Sequence, residues 1–447
     1  MITRIDLRRI DLRGRGVRRL GPDGLDGVLP RAATDVEAAA AQIRPVCEDV
    51  RSRGAQAIRE YTQRFDGVDL AATVVPQDAL DQALAALDPA VASALEEAAR
   101  RAAAVHRAQL PAEKTTQVTD GLTVTGRFVP VNRAGVYVPG GLVAYPSSVV
   151  MNVVPAQVAG VGAIAVASPP QADRGGLPHP SVLAACALLG ITEVHAVGGA
   201  QALAMFAYGT ADCARVDVIT GPGNVYVAAA KRVLRGVVGT DGENGPTEVA
   251  IIADDTANPA HVAADLIAQA EHDELAACLL ITPDERLAEN VGIQLDRMVP
   301  AARHRERIRE ALKNQSACVL VDDLDAALAV SDAWAPEHLE IQARDPAKLA
   351  ARVVNAGAVF AGPYAPVSLG DYLAGSNHVL PTGGTARHTS GLTVLPFGRL
   401  INVVECDKTA LATAAPLIHA LGGAEDLAAH VEAVRIRVPR QDGSQGQ

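Results

Sequence analysis

At 447 residues the chain is longer than one hydrophobic core usually serves, and 49% of it is hydrophobic with only 3% aromatic, so two or more domains rich in Ala, Val and Leu are expected. Forty Lys and Arg against 51 Asp and Glu give a formal charge of −11, which argues against a nucleic-acid or anionic-membrane partner. The longest apolar stretch, Val158 to Ser168, is too short to span a bilayer, and the arginine-rich start MITRIDLRRIDLRGRG carries acids and lacks the apolar region of a signal peptide.

After a short arm, TDVEAAAAQIRPVCEDVRSRGAQAIREYTQRF reads as helix, with Thr34 or Asp35 as its cap and a possible break at Gly54. A second Ala-rich helical block follows from Pro76 to about Leu110. GLTVTGRFVPVNRAGVYVPGG then alternates β-formers with turn residues, as extended chain does. From Ala163 onward the β runs AIAVAS, EVHAVGG, RVDVITGPGN, EVAIIADD, ACLLITP and ACVLVDD alternate with helical segments. That alternation predicts α/β architecture with parallel sheets. From about Thr389 the tail reads as a β-like piece, GLTVLPF, followed by helices TALATAAPLIHALGG and EDLAAHVEAVRI. Six scattered cysteines (Cys47, Cys186, Cys213, Cys278, Cys318, Cys406) form no C-x-x-C pair. They suggest small core residues in a reduced, cytoplasmic protein rather than a disulfide framework or thiolate zinc site.

Several short motifs have polar residues placed for chemistry. GVGAIA at Gly160 fits a dinucleotide fingerprint, but it precedes its β run instead of following it, so its amides would not face a helix start. VGGAQAL and TGPGNVYVAAAKRVL are better placed, each following a β run and leading into a helix, with Gln201 and Asn224 at the two turns. Those amides serve either a nucleotide or ordinary turn and cap chemistry. In DLIAQAEHDE, Gln269 and His272 stand three apart, a spacing that stacks two side chains on one helical face. They are either the polar end of a surface helix or two ligands of one ion. AWAPEHLEIQ sets Glu337 beside His338, a carboxyl and an imidazole able to serve different proton transfers, or a polar surface turn. SLGDYLAGSNHVLPTGGTAR puts Asp371 and His378 in a Gly/Ser-rich loop. GGAEDLAAH spaces Glu425 and His430 five apart, which by itself says little.

Together YVPGG, GGAQA, GPGN, GPTE, QAEH, PEHLE, GDYLAGSNHVLPT and AEDLAAH, in this order along nearly the whole chain, resemble the histidinol dehydrogenase family. The resemblance implies zinc ligands at Gln269, His272, Asp371 and His430, an all-N/O set that suits zinc with positions left for substrate. It implies NAD as cofactor, contacted by Tyr137, Gln201 and Asn224. Glu337 and His338 match the acid/base pair, His338 also meeting substrate, and Thr247, His378 and Glu425 match substrate contacts, with the zinc ligands around the same substrate. Thr247 stands where serine is also common, and Leu369 where a smaller residue is often found. The implied reaction is NAD-dependent oxidation of L-histidinol to L-histidine through L-histidinaldehyde, the last step of histidine biosynthesis.

The expected architecture is two incomplete Rossmann-like α/β domains, one interrupting the other. An N-terminal arm (1–31) precedes a first domain (32–136 and 250–391), a second (137–249) and a C-terminal tail (392–447) that joins two subunits and completes the partner's site. A paralogue oxidising another small amino alcohol or polyol is the alternative, against which Glu425 and His430 speak. A zinc-dependent binding protein without turnover is another, against which Glu337 and His338 speak.

Overall fold

The computed structural model describes residues 2–10, 24–25, 27–32, 35–140 and 144–438. The chain forms two compact units: residues 1–109 with 131–397, and residues 110–130 with 398–447.

The first unit holds two parallel sheets. In one, the strand order is Glu193–Ala196, Ala163–Ser168, Arg133–Tyr137, Val218–Thr220, Gly239–Thr240. Numbered along the chain this is 3-2-1-4-5, a doubly wound sheet that stops one strand short of the six-stranded dinucleotide fold. The other sheet runs Ala317–Leu320, Ala277–Thr282, Glu248–Ala253, His338–Gln342, Ala358–Ala361, again 3-2-1-4-5. Thr3–Asp6 pairs in parallel with Ala317–Leu320 and adds a sixth strand at that edge. The start of the expected N-terminal arm is therefore part of a sheet. The central strands Glu248–Ala253 and Ala277–Thr282 are buried at every residue, because helices cover both faces, and they read as apolar runs rather than alternating ones.

Local chemistry accounts for the helix boundaries. Asp35 caps Val36–Arg53 by accepting from Ala38 N–H, and Gly54, at φ 56°, separates it from Ala55–Asp66. Gly160, at φ 86°, ends the helix Pro146–Ala159 ahead of the strand Ala163–Ser168, so GVGAIA is a helix stop and not a phosphate loop. No helix among the described residues is long and apolar enough to cross a membrane.

The second unit contains an antiparallel sheet ordered Gly398–Cys406, Leu122–Pro130, Lys114–Thr119, with helices Lys408–Ala424 and Ala428–Arg435. Two expectations change here. Leu122–Pro130 pairs with the tail strand, Leu122 to Pro130 registering against Cys406 to Gly398, and Lys114–Thr119 pairs with Leu122–Pro130, so residues 114–130 join the tail's sheet and not the neighbouring domain's. The β-like piece GLTVLPF is turn and 3₁₀ chain; the strand starts at Gly398, just past Pro396, which has no N–H to give a ladder.

Candidate active site

The two parallel sheets face one cavity of about 920 Å³, at the large end of the range for small-molecule sites. From the five-stranded sheet come the carboxyl-end loops, with Tyr137, Pro139, Gly140, Pro222, Gly223 and Asn224. The six-stranded sheet uses its other edge. Thr247, Glu337 and His338 stand at the amino ends of the strands Glu248–Ala253 and His338–Gln342. Ligands in such sheets ordinarily bind at carboxyl ends, so only one half of the fold follows the rule.

On the five-stranded side the loop Gly221–Asn224 is held rigidly. Gly221 has φ 123°, and a Cβ there would collide with the main-chain oxygen of Tyr137. The buried Lys231 ammonium donates to Gly221 O at 2.6 Å and to Asp241, which accepts in turn from Gly221 N–H at 2.9 Å. Asn224 caps the helix Val225–Leu234 through Tyr226 and Val227 N–H, while also lining the cavity. Gly199 N–H donates to the Tyr137 hydroxyl at 3.1 Å. Gln201 is buried with its amide beside Gly199 and is not among the residues that line the cavity.

On the other side a chain of polar contacts fixes the reactive groups. Gln269 Nε2 donates to Thr247 Oγ1 at 2.5 Å, and the Thr247 hydroxyl donates in turn to Glu337 Oε2 at 2.6 Å. Glu248 N–H also donates to Glu337 Oε2, at 2.8 Å. Thr247 has one proton and spends it on Glu337, so the Gln269 amide can turn only one way. Its Oε1 is left buried without a partner, an arrangement that a native interior tolerates when something else satisfies the oxygen. His338 Nδ1 lies 2.9 Å from Glu248 O. A carbonyl only accepts, so Nδ1 carries the proton and Nε2 keeps its lone pair. His378 repeats the pattern, donating from Nδ1 to Asp371 O at 3.0 Å and meeting Ser148 Oγ through Nε2 at 3.2 Å.

Electrostatics follow from depth. Burial lowers the pKa of His272, His338 and His378, and the negative charge of Asp371 opposes the shift in all three. Burial pushes Glu337 up to about 8, against the hydrogen bonds from Thr247 and Glu248 and with added repulsion from Asp371. The pair at 337–338 is thus no surface turn: the two residues are 7% and 4% exposed.

Most expected site residues meet here. Tyr137, Asn224, Thr247, His272, Glu337, His338, Asp371 and His378 line the cavity, and Gln269 joins it through Thr247. The helix Pro259–Ala270 ends before His272, whose N–H bonds Gln269 O at 3.3 Å, so the pair sits on a helix and the turn that continues it. Asp371 lies on the short helix Val367–Tyr372 rather than in open loop. Glu425 and His430 belong to the second unit, at the end of one helix and within the next. Sequence reasoning passed over Ser148 and Glu248, although Glu248 sits inside the motif GPTE. A main-chain acceptor leaves no mark on residue type.

A different cluster, Glu193, His195 and Cys213, brings possible metal-ligating atoms within 4.8 Å of one another. Arg133 already pairs with Glu193, and burial pushes the Cys213 thiol up to about 11. Glu193 opens its strand while Tyr137 closes a parallel one, so the cluster is at the opposite sheet edge from the cavity. A guanidinium in place and a protonated thiol suit a structural ion pair better than a metal.

The histidinol dehydrogenase family model matches residues 29–438. The chain belongs to the histidinol dehydrogenase family. It is 61% identical over 435 residues to the histidinol dehydrogenase of Thermobifida fusca, covering 97% of this chain and 98% of that one. The Nocardia farcinica histidinol dehydrogenase is 57% identical over 443 residues, 98% of this chain and 99% of the other. A crystal structure of histidinol dehydrogenase from Elizabethkingia anophelis superposes with a TM-score of 0.88 at 32% identity, covering 93% of this chain and 96% of that chain. Membership makes the protein an enzyme, an oxidoreductase, and the α/β fold is the one that this histidinol dehydrogenase relative also has.

Proposed function

We propose that the protein oxidises L-histidinol to L-histidine by way of L-histidinaldehyde, with NAD as acceptor and zinc as resident metal, as the last step of histidine biosynthesis in the cytoplasm. The observation that carries this reading is the unpartnered, buried Gln269 Oε1, oriented by Thr247 beside an acid/base pair at the mouth of a dinucleotide-like loop. An orphaned amide oxygen near a neutral imidazole and a carboxylate fits a hard-to-borderline cation. Gln269, His272 and Asp371 would hold zinc from this chain, and when bound it would orient the substrate's nitrogens as a template. NAD, seated along Tyr137 and Asn224 with Gln201 beside Gly199, supplies the hydride acceptor.

The chain's own groups then divide the proton work. His338 Nε2, its lone pair free because Nδ1 is committed to Glu248 O, takes the alcohol proton and later that of the aldehyde hydrate. Glu337 takes a proton from the water that adds to the aldehyde. His378 holds the Asp371 main chain from behind and faces Ser148, and as a substrate contact it would trade one of those partners. Glu425 and His430 would complete the substrate and metal contacts from the partner subunit of a homodimer. The second unit supports this: Leu400, Val404, Leu417 and Leu421 are 66%, 63%, 70% and 66% exposed, apolar surface that a second copy would cover.

Removal of the metal tests the reading. Prolonged chelation should abolish NADH formation from L-histidinol and zinc should restore it, since no thiolate holds the ion. His272→Ala should lose both bound zinc and turnover. Normal turnover by a metal-free preparation would refute the zinc assignment.

A further inference from the structure

The segments that carry Gln269, Asp371 and His338 are joined a second time, one layer away from the cavity. Along His338–Gln342, Glu340 and Gln342 share a face with His338, while Leu339 and Ile341 point into an apolar cluster on the other side. Glu340, 1% exposed, accepts at 2.9 Å from the N–H of Val367, the first residue of the helix that carries Asp371. Gln342 Nε2 spends one hydrogen on Glu340 Oε2 at 3.0 Å and the other on Asp265 Oδ2 at 2.9 Å. Asp265 precedes Gln269 by one helical turn, on the same face of Pro259–Ala270.

Among the described residues no Lys or Arg pairs with either carboxyl, and Gln342 Oε1 has no partner. A buried carboxyl at Glu340, a half-buried one at Asp265 whose nearest cationic group is the His261 imidazole, and an unsatisfied amide oxygen cost stability compared with apolar side chains of the same volume. What the cluster provides instead is direction. Apolar contacts let a short helix slide, whereas hydrogen bonds to Val367 N–H and to Asp265 set its register against the central strand.

We propose that Asp265, Glu340 and Gln342 are positioning residues of the metal site, locking the helices of Gln269 and Asp371 to the strand of His338. The inference rests on the metal reading above. Its test is zinc affinity by competition with a chromophoric chelator, together with kcat and the KM for NAD. Glu340→Ala removes the acceptor for Val367 N–H and should weaken zinc binding by about 10–100-fold, the usual effect of losing a group that orients ligands. Its kcat should fall while the KM for NAD stays within about twofold, because the NAD loops hang from the other sheet. Glu340→Gln keeps a carbonyl at that position and should recover most of the affinity. Should Glu340→Ala not fold, Gln342→Met keeps the volume and removes the links to Asp265 and Glu340 while Val367 N–H keeps its acceptor, and it should weaken zinc binding by loosening the helix of Gln269 alone. Folded variants that bind zinc like the wild type and lose only melting temperature would overturn the proposal. Were His272→Ala to lose zinc while Glu340→Ala kept it, this inference alone would fall. Were the wild type to bind no zinc, or His272→Ala to bind it equally well, the metal reading would fall first and take this one with it.

Discussion

His338→Asn should slow hydride transfer from L-histidinol and from L-histidinaldehyde alike, each by about 10²–10⁴-fold, the range for losing a positioned acid/base group. Both the alcohol and the aldehyde hydrate give up a proton, and Nε2 of His338 is the imidazole nitrogen left free for it. Glu337→Gln should behave differently. The amide keeps its shape and can still accept from Thr247 and Glu248, but it cannot take a proton from water. Aldehyde oxidation should therefore suffer more than the first hydride transfer. Burial holds Glu337 up to about 8, so its basic form grows as pH rises toward that value, and a cation beside Asp371 moves the midpoint down. The rate of the aldehyde step should climb with pH in the wild type, and the Glu337-dependent limb should vanish in Glu337→Gln. Single-turnover NADH formation from each substrate reads both effects. A Glu337→Gln protein that oxidises aldehyde normally but fails on alcohol would reverse the two roles.

Asp371→Ala and His430→Ala should each yield inactive homodimers, yet the two together should recover. If the tail of one chain completes the site of the other, a mixed dimer gathers both lesions in one site and leaves its second site intact. Random pairing makes half the dimers mixed, so co-expression should return roughly a quarter of wild-type activity for a two-fold symmetric dimer. Mixed dimers that form but stay inactive would place His430 in its own subunit's site.

Much of this site is legible in the sequence, for identifiable reasons. Strands such as EVAIIA and ACLLIT stand out because burial on both faces demands unbroken apolar runs. Turns such as GPGN stand out because only glycine tolerates the backbone of Gly221 against Tyr137. Glu337 and His338 are unusual residue types for an interior, while the half-buried Asp371 and the exposed His272 stand out through the motifs that hold them. The pairing of Leu122–Pro130 with Gly398–Cys406 was hidden, because nothing local says which strand a β run will join across more than two hundred residues. Also hidden was the use of amino-end strand positions at 247 and 337–338, a property of how two sheets face one cavity. The orientation of Gln269 was hidden as well, since it depends on a single hydroxyl proton at Thr247.

The most direct test of the whole account is the number of NADH molecules formed per molecule of L-histidinol when the alcohol is limiting and NAD is in excess. A four-electron oxidation at one site passes two hydrides, so two NADH should appear for each L-histidinol consumed, with L-histidine as the product and none of it formed after zinc is stripped. One NADH with free aldehyde accumulating, or none at all from L-histidinol, would contradict it.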